Sequence, residues 1–135
     1  MKTRHLFVFA AGFSLVLGAI PVLAHHSFAA QYDRAKPTKI TGPVSRIEWI
    51  NPHARFYMDV KDANNKAANW EVELGSLAGL LRRGWSRTSL KIGDMVTVDG
   101  FLAKDGSNLA NATTVTLSDG RKVLTGSSAE TDSNP

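Results

Sequence analysis

Short runs in which apolar and polar residues alternate are the feature that most constrains the fold of this chain. The clearest runs cover residues 56–60, 70–74 and 95–102. Alternation with a period of two places the apolar side chains on one face of a β-strand. The chain is therefore predicted to be mainly β, with strands that bury one face and expose the other.

The first predicted strand changes phase along its length. Ile40 and Val44 fall on one face of this strand, whereas Ile47 and Trp49 fall on the other. A slip of one residue moves every following side chain to the opposite face. We therefore expect a β-bulge at residues 45–46 and a bent strand.

A short helix is predicted after the third strand. Ser76 is a suitable N-cap, and leucines follow at helical spacing from Leu77 to Leu81. Gly84 suits a left-handed stop, and Trp85 can fold back on the helix.

Two Asp-Gly pairs, at residues 105–106 and 119–120, mark hairpin turns around a fifth strand and before a short sixth one. This order predicts an OB-fold-like small five-stranded barrel, with one short helix between strands 3 and 4 and a C-terminal hairpin extension. The alternative is an open antiparallel α+β sheet or a small sandwich.

Residues 1–24 have the composition of a secretory signal peptide. Basic residues precede an apolar run over residues 6–20, and Val22 and Ala24 suit the positions before a cleavage site. The run is shorter than the ~20 residues that a membrane span needs. We therefore expect a periplasmic protein without a membrane span, whose first mature residue is His25. Cleavage after Ala29 or Ala30 is the alternative.

The mature chain is predicted to have three parts. Residues 25–37 show little periodicity and are expected to form an extended arm, residues 38–126 to form one domain, and residues 127–135 to form a disordered tail. The chain has no cysteine, which excludes disulfides and thiolate metal sites. Two of the 16 basic residues leave with the signal, so the mature chain has 14 basic and 12 acidic residues and a net charge of about +2. With so small a positive charge, nucleic acid is not an expected partner.

Four motifs carry a resemblance to a known family: HHSF at residues 25–28, NPHAR at 51–55, WE at 70–71 with ELGS at 73–76, and RRGW at 82–85. With these motifs the chain resembles a family of small exported bacterial proteins of unknown function. The resemblance covers nearly the whole mature domain. It implies an exported single domain and no particular activity.

The three mature histidines, His25, His26 and His53, are the candidate metal ligands. A first-residue histidine offers its amine and its ring, and a second imidazole completes a nitrogen set that suits copper(II) and, less selectively, zinc or nickel. His53 is the expected partner of His25, with His26 as an alternative ligand. The sequence therefore predicts a soluble binding protein that carries or buffers copper or another transition metal.

Each of the three histidines also has an explanation that involves no metal. His25 and His26 can belong to a solvated terminus, and His53 can be a turn residue that bonds to a carboxylate. A different function is also open, in which the barrel face binds an envelope protein, a glycan or a small anionic ligand without a metal. Its candidate residues are Trp49, Tyr57, Arg82 and Trp85, which combine aromatic rings with a guanidinium.

The motifs of common enzyme classes are absent from the sequence. It has no nucleophile elbow, no phosphate-binding glycine loop and no dinucleotide fingerprint. Glu71 and Glu73 share one face of the third strand, where we expect two solvated charges rather than an acid–base pair. Enzymatic activity is therefore not predicted, although a copper centre can carry redox chemistry.

Overall fold

Residues 27–126 are described by the computed structural model, and they form six strands and two short helices. The elements in chain order are α1 (Phe28–Gln31), β1 (Tyr32–Glu48), β2 (Arg55–Lys61), β3 (Ala67–Glu73), α2 (Leu77–Arg82), β4 (Met95–Ala103), β5 (Leu109–Leu117) and β6 (Lys122–Leu124). The predicted mainly β class is confirmed. Between residues 27 and 126, neither helix has the length and apolar character needed to cross a membrane.

Five of the strands form a closed ring. β1 pairs antiparallel with both β2 and β4, β2 pairs with β3, and β4 pairs with β5. A parallel pairing of β3 with β5, in which Val72 lies opposite Ala110, closes the ring in the order β1-β2-β3-β5-β4. β6 pairs antiparallel with β5 outside the ring, as the predicted C-terminal hairpin requires.

The predicted bulge lies where β1 changes partner. Residues 37–43 of β1 pair with β4, and the register with β2 shifts between Val44 and Arg46. Gly42 lies so close to β2 that a Cβ added there would overlap the carbonyl oxygen of Asp59. The bulge and this close approach together let one long strand serve two neighbours in the ring.

Helix α2 begins and ends as its sequence predicts. The Ser76 side chain accepts a hydrogen bond of 3.1 Å from the backbone N–H of Gly79. Gly84 adopts φ of +88°, and the N–H of Trp85 bonds to the carbonyl of Leu80. Leu80 and Trp85 are consequently buried in the core that the ring encloses.

The main core consists of the inward-facing side chains of the ring. Phe56, Met58, Val72, Val98 and Val115 are all fully buried within it. Full burial of one such side chain stabilises the fold by roughly 1.5–3 kcal/mol. Met58 is thus a core residue.

A second, smaller core lies at the start of the described region. The structure differs here from the predicted arm, because residues 28–31 form α1 and β1 starts at Tyr32. Phe28 and Tyr32 are buried with Ala103, and the two aromatic rings stack with centroids 5.4 Å apart. Aromatic packing therefore fixes this segment against β4 and β5 despite its weak periodicity.

Candidate functional site

A buried carboxylate, that of Glu73, is the centre of the candidate site. It lies at the end of β3 and is 4% exposed. Its Oε1 lies 3.1 Å from Nδ1 of His53 and accepts a hydrogen bond of 3.2 Å from the Asn111 amide. Its Oε2 accepts a hydrogen bond of 3.0 Å from the Tyr32 hydroxyl and lies 3.9 Å from a guanidinium nitrogen of Arg55. These donors come from three strands and one loop, so the carboxylate joins distant parts of the chain.

The His53 ring reaches this carboxylate because its loop is fastened to the end of β3. The loop contains the cis peptide bond Asn51–Pro52. Next to His53, the Ala54 N–H donates to the carbonyl of Gly75, and the Ala54 carbonyl accepts from the N–H of Leu74. Two backbone hydrogen bonds therefore hold Ala54, the residue after His53, against the residues that follow Glu73.

Arg55 and Glu71 form the outer side of the site. Arg55 Nη1 lies 2.8 Å from Glu71 Oε1, and both side chains are partly exposed. Glu71 thus pairs with the guanidinium, whereas Glu73 is enclosed. Two carboxylates on one strand face consequently have different environments.

The electrostatics of Glu73 keep its carboxyl ionised. Burial opposes the charge and acts to raise the pKa, but the hydrogen bond and charge of His53 and the interactions with Tyr32 and Arg55 outweigh it. The net effect is a Glu73 pKa below its ordinary value. The pKa of the Tyr32 hydroxyl is raised instead. The main cause is burial, and the second cause is the negative charge of Glu73.

This arrangement fixes which nitrogen of His53 can act as a ligand. An ionised carboxylate only accepts hydrogen bonds, so the neutral ring carries its proton on Nδ1 and has its lone pair on Nε2. The His53 side chain is 25% exposed, so the ring is not sealed off from solvent. A histidine whose second nitrogen donates to a carboxylate is the usual form of a metal-ligating histidine. Within residues 27–126, no group of three or more acidic, histidine or cysteine side chains is placed to hold a metal ion.

Of the predicted metal ligands, only His53 falls in the described part of the chain. His25 and His26 lie outside residues 27–126. Ser27, the first described residue, precedes the Phe28 that packs on Tyr32.

The four residues of the predicted ligand-binding face do not share one exposed surface. Trp85 is 3% exposed and belongs to the core. Trp49 lines a cleft with Trp85, but the cleft holds only about 10 Å³. The Tyr57 ring lies beneath the guanidinium of Arg46 at 3.7 Å, and Arg82 is exposed at the end of α2.

Tyr32, Asn111 and Glu73 are the site residues that the sequence pattern did not reveal. The prediction that Glu73 is a solvated charge is wrong. Its side chain is buried, because Tyr32 and Asn111 cover it on the face of β3 where it lies. Along the chain, Glu73 is 41 residues from Tyr32 and 38 residues from Asn111. These separations are too large for any local pattern to indicate the contacts. The sequence around Phe28 and Tyr32 shows little periodicity, so it carries no local signal for these contacts.

A comparison with the models of protein families identifies a family for this chain. Residues 13–112 match a family of unknown function, DUF6152. No curated protein matches the chain in sequence. The match covers more than half of the chain and includes Glu73 and all four of its partners, so the chain belongs to the DUF6152 family.

Proposed function

We propose that this protein binds a transition metal, with copper(II) as the best fit, through Nε2 of His53 together with the amine and ring of His25. His26 is the alternative ligand. The observation that carries the proposal is the contact of 3.1 Å between His53 Nδ1 and the buried Glu73 carboxylate. This contact orients the ring and increases its basicity, as the carboxylate partners of metal-bound histidines do.

The remaining ligands have to come from outside the described region, and the N-terminal segment is the natural source. Phe28 stacks on Tyr32, and the Tyr32 hydroxyl bonds to the carboxylate that also contacts His53. Consecutive Cα atoms are about 3.8 Å apart, so His25 lies within about 11 Å of Phe28 along the chain. This short stretch of chain, together with the contacts from Phe28 through Tyr32 to Glu73, supports the proposed pairing of His25 with the His53 ring.

The proposal includes export and processing. Residues 1–24 act as a signal peptide, cleavage after Ala24 frees the amine of His25, and the mature protein works in the periplasm as a metal carrier or buffer. An amine and an imidazole both offer lone pairs near neutral pH, which a copper(II) site needs.

The closed ring is proposed to be an OB-fold-like barrel. Its strand order β1-β2-β3-β5-β4 and the position of α2 between β3 and β4 support this assignment. Fold alone does not select a ligand, so the metal proposal depends on His53 and Glu73 rather than on the barrel.

The test is a copper(II) titration of the protein exported by its host, after mass spectrometry has identified its first residue. The wild-type protein should bind one equivalent and give an EPR spectrum of nitrogen ligands. His53→Ala should bind more weakly and lose one nitrogen from the spectrum. An extra residue before His25 should disrupt the site in the same way.

Two glutamate variants provide a matched comparison. Glu73→Gln should weaken copper binding by roughly 10-fold to 100-fold, as the loss of a carboxylate behind a ligating histidine does. Glu71→Gln removes a charge from the same strand face but leaves the contact with His53 intact, so it should bind as the wild type does. Undiminished affinity in both His53→Ala and the extended protein would refute the proposal.

A further inference from the structure

The positive charge of the described region is concentrated in two segments, residues 81–95 and 117–122, which we call the basic face. These segments hold six basic and two acidic residues, whereas the rest of residues 27–126 holds eight of each. The whole surplus of positive charge in residues 27–126 therefore lies in the basic face. All six of its basic side chains are exposed: Arg82, Arg83, Arg87, Lys91, Arg121 and Lys122.

Contacts at two places join the two segments into one surface. Arg83, at the end of α2, lies against the residues that follow β6, since a Cβ added at Gly126 would be 2.6 Å from Nη1 of Arg83. Farther along the chain, Lys91 and Met95 line a cavity of about 280 Å³ together with Arg121. The loop between α2 and β4 therefore borders the hairpin of β5 and β6 near both of its ends.

Neighbouring carboxylates leave most of the charges of the basic face unneutralised. Of its two acidic residues, Asp119 pairs with Arg121 at 2.6 Å, and Asp94 accepts a hydrogen bond from the backbone N–H of Lys91. Within residues 27–126, four basic side chains of this face form no ion pair: those of Arg82, Arg87, Lys91 and Lys122. The basic face therefore presents a positive potential to an approaching anion.

Exposed apolar side chains lie among these charges. Residues 27–126 expose four large apolar side chains, and three of them belong to the basic face: Leu81, Ile92 and Met95. Leu81 directly precedes Arg82, and Ile92 directly follows Lys91 and is 72% exposed. Large apolar side chains that gather on one exposed surface mark a site of contact with a partner or a membrane.

This combination favours a membrane of anionic lipids over a soluble anionic polymer. Lipid phosphates attract Lys and Arg, and apolar side chains among these cations can enter the boundary between headgroups and acyl chains. A soluble polymer would neutralise the same cations but would leave Leu81 and Ile92 in water.

We propose that the basic face docks this protein on the surface of an anionic lipid membrane. Lys91, Lys122 and the arginines at the end of α2 contact the lipid phosphates, while Leu81 and Ile92 insert between the headgroups. Dissolved ions screen the attraction between the charges, so docking weakens as the salt concentration rises.

Sedimentation with lipid vesicles tests the proposal on protein purified from its host, so that residues outside 27–126 are the same in every variant. Vesicles of equal parts phosphatidylglycerol and phosphatidylcholine provide the anionic surface, and vesicles of phosphatidylcholine alone provide the neutral one. The wild type should bind the anionic vesicles, more weakly at high salt, and should not bind the neutral ones. No copper is added, so the result does not depend on the proposed function.

Two double variants make the same change in net charge at different places. Lys91→Gln with Lys122→Gln removes one charge from each segment of the basic face. A Lys or Arg near an anionic membrane contributes roughly 5-fold to the affinity, so this protein should bind roughly 25-fold more weakly. Lys36→Gln with Lys66→Gln removes two exposed lysines outside the basic face and should bind as the wild type does. Circular dichroism checks that both proteins are folded.

A third variant separates a membrane from a soluble polyanion. Ile92→Ser removes an exposed apolar side chain of the basic face and keeps every charge. It should bind the anionic vesicles roughly 5-fold more weakly, because the isoleucine no longer buries apolar surface in the membrane. Its affinity for heparin, a soluble polyanion, should equal that of the wild type.

Three results would overturn the proposal. Failure of the wild type to bind anionic vesicles at low salt would exclude docking. Equal losses in the two double variants would mean that binding follows net charge rather than the basic face. If Ile92→Ser binds the vesicles as well as the wild type does, the contact is purely electrostatic and a soluble polyanion or an acidic protein fits the face better than a membrane.

Discussion

Glu73 is the single residue on which the local structure of the site depends most. It is buried, and its charge is balanced by donors from His53, Tyr32 and Asn111. Glu73→Gln replaces an acceptor by an amide whose NH2 group faces these donors. Loss of a satisfied buried hydrogen-bond network of this kind costs roughly 1–3 kcal/mol.

Urea unfolding of the metal-free protein measures this cost. Glu73→Gln should lower the free energy of unfolding by that amount. Glu71→Gln disrupts only a partly exposed ion pair with Arg55 and should cost less than about 1 kcal/mol. If both variants lost the same free energy of unfolding, the contribution of Glu73 to stability would not depend on its burial.

The lowered pKa of Glu73 makes stability depend on pH in a defined direction. The folded protein holds the Glu73 proton less tightly than the unfolded chain, whose glutamate titrates near 4.5. The stabilising contribution of Glu73 is therefore present above pH 4.5 and is lost as pH falls through the lower folded value. In acid titrations, the stability gap between the wild type and Glu73→Gln should narrow below pH 4.5, and a gap that stays constant would contradict the assignment.

At the scale of elements, the contact between β1 and β2 depends on Gly42. A methyl group at this position overlaps the carbonyl of Asp59, which is backbone and cannot move aside without shifting β2. Gly42→Ala should therefore destabilise the fold by at least the roughly 1–3 kcal/mol that overpacking costs.

Gly106→Ala is the matched control for this substitution. Gly106 has open space around its Cα and φ of +79°, so alanine there meets only the conformational penalty of roughly 1–2 kcal/mol. Thermal unfolding of both variants compares the two effects. A Gly42→Ala protein with native stability would mean that β1 does not approach β2 as described.

Most elements could be predicted from the sequence because each depends on local chemistry. Alternation predicts β2, β3 and β4, and the phase change after Val44 predicts the bulge that the structure contains. Ser76 and Gly84 mark the two ends of α2 through capping and a left-handed residue. α1 was not predicted, because four residues give no periodic pattern and tertiary packing of Phe28 holds them.

At the scale of the whole molecule, the site is made by closure of the ring. β3 and β5 pair in parallel near Glu73 and Asn111, and the start of β1 brings Tyr32 over the same face. None of these pairings follows from the spacing of residues along the chain. The sequence therefore predicted His53 as a candidate ligand, but it could not predict the carboxylate that orients its ring.

The most direct test of the metal proposal is long-range ¹H–¹⁵N NMR of the histidine rings in the exported, processed protein, with and without copper(II). Copper(II) is paramagnetic, so it broadens the resonances of the nitrogens nearest to it. Without metal, the neutral form of His53 should carry its proton on Nδ1. With a small fraction of one equivalent of copper(II), the His53 ring resonances should broaden strongly. A His53 ring whose resonances do not change at saturating copper(II) would contradict the proposal.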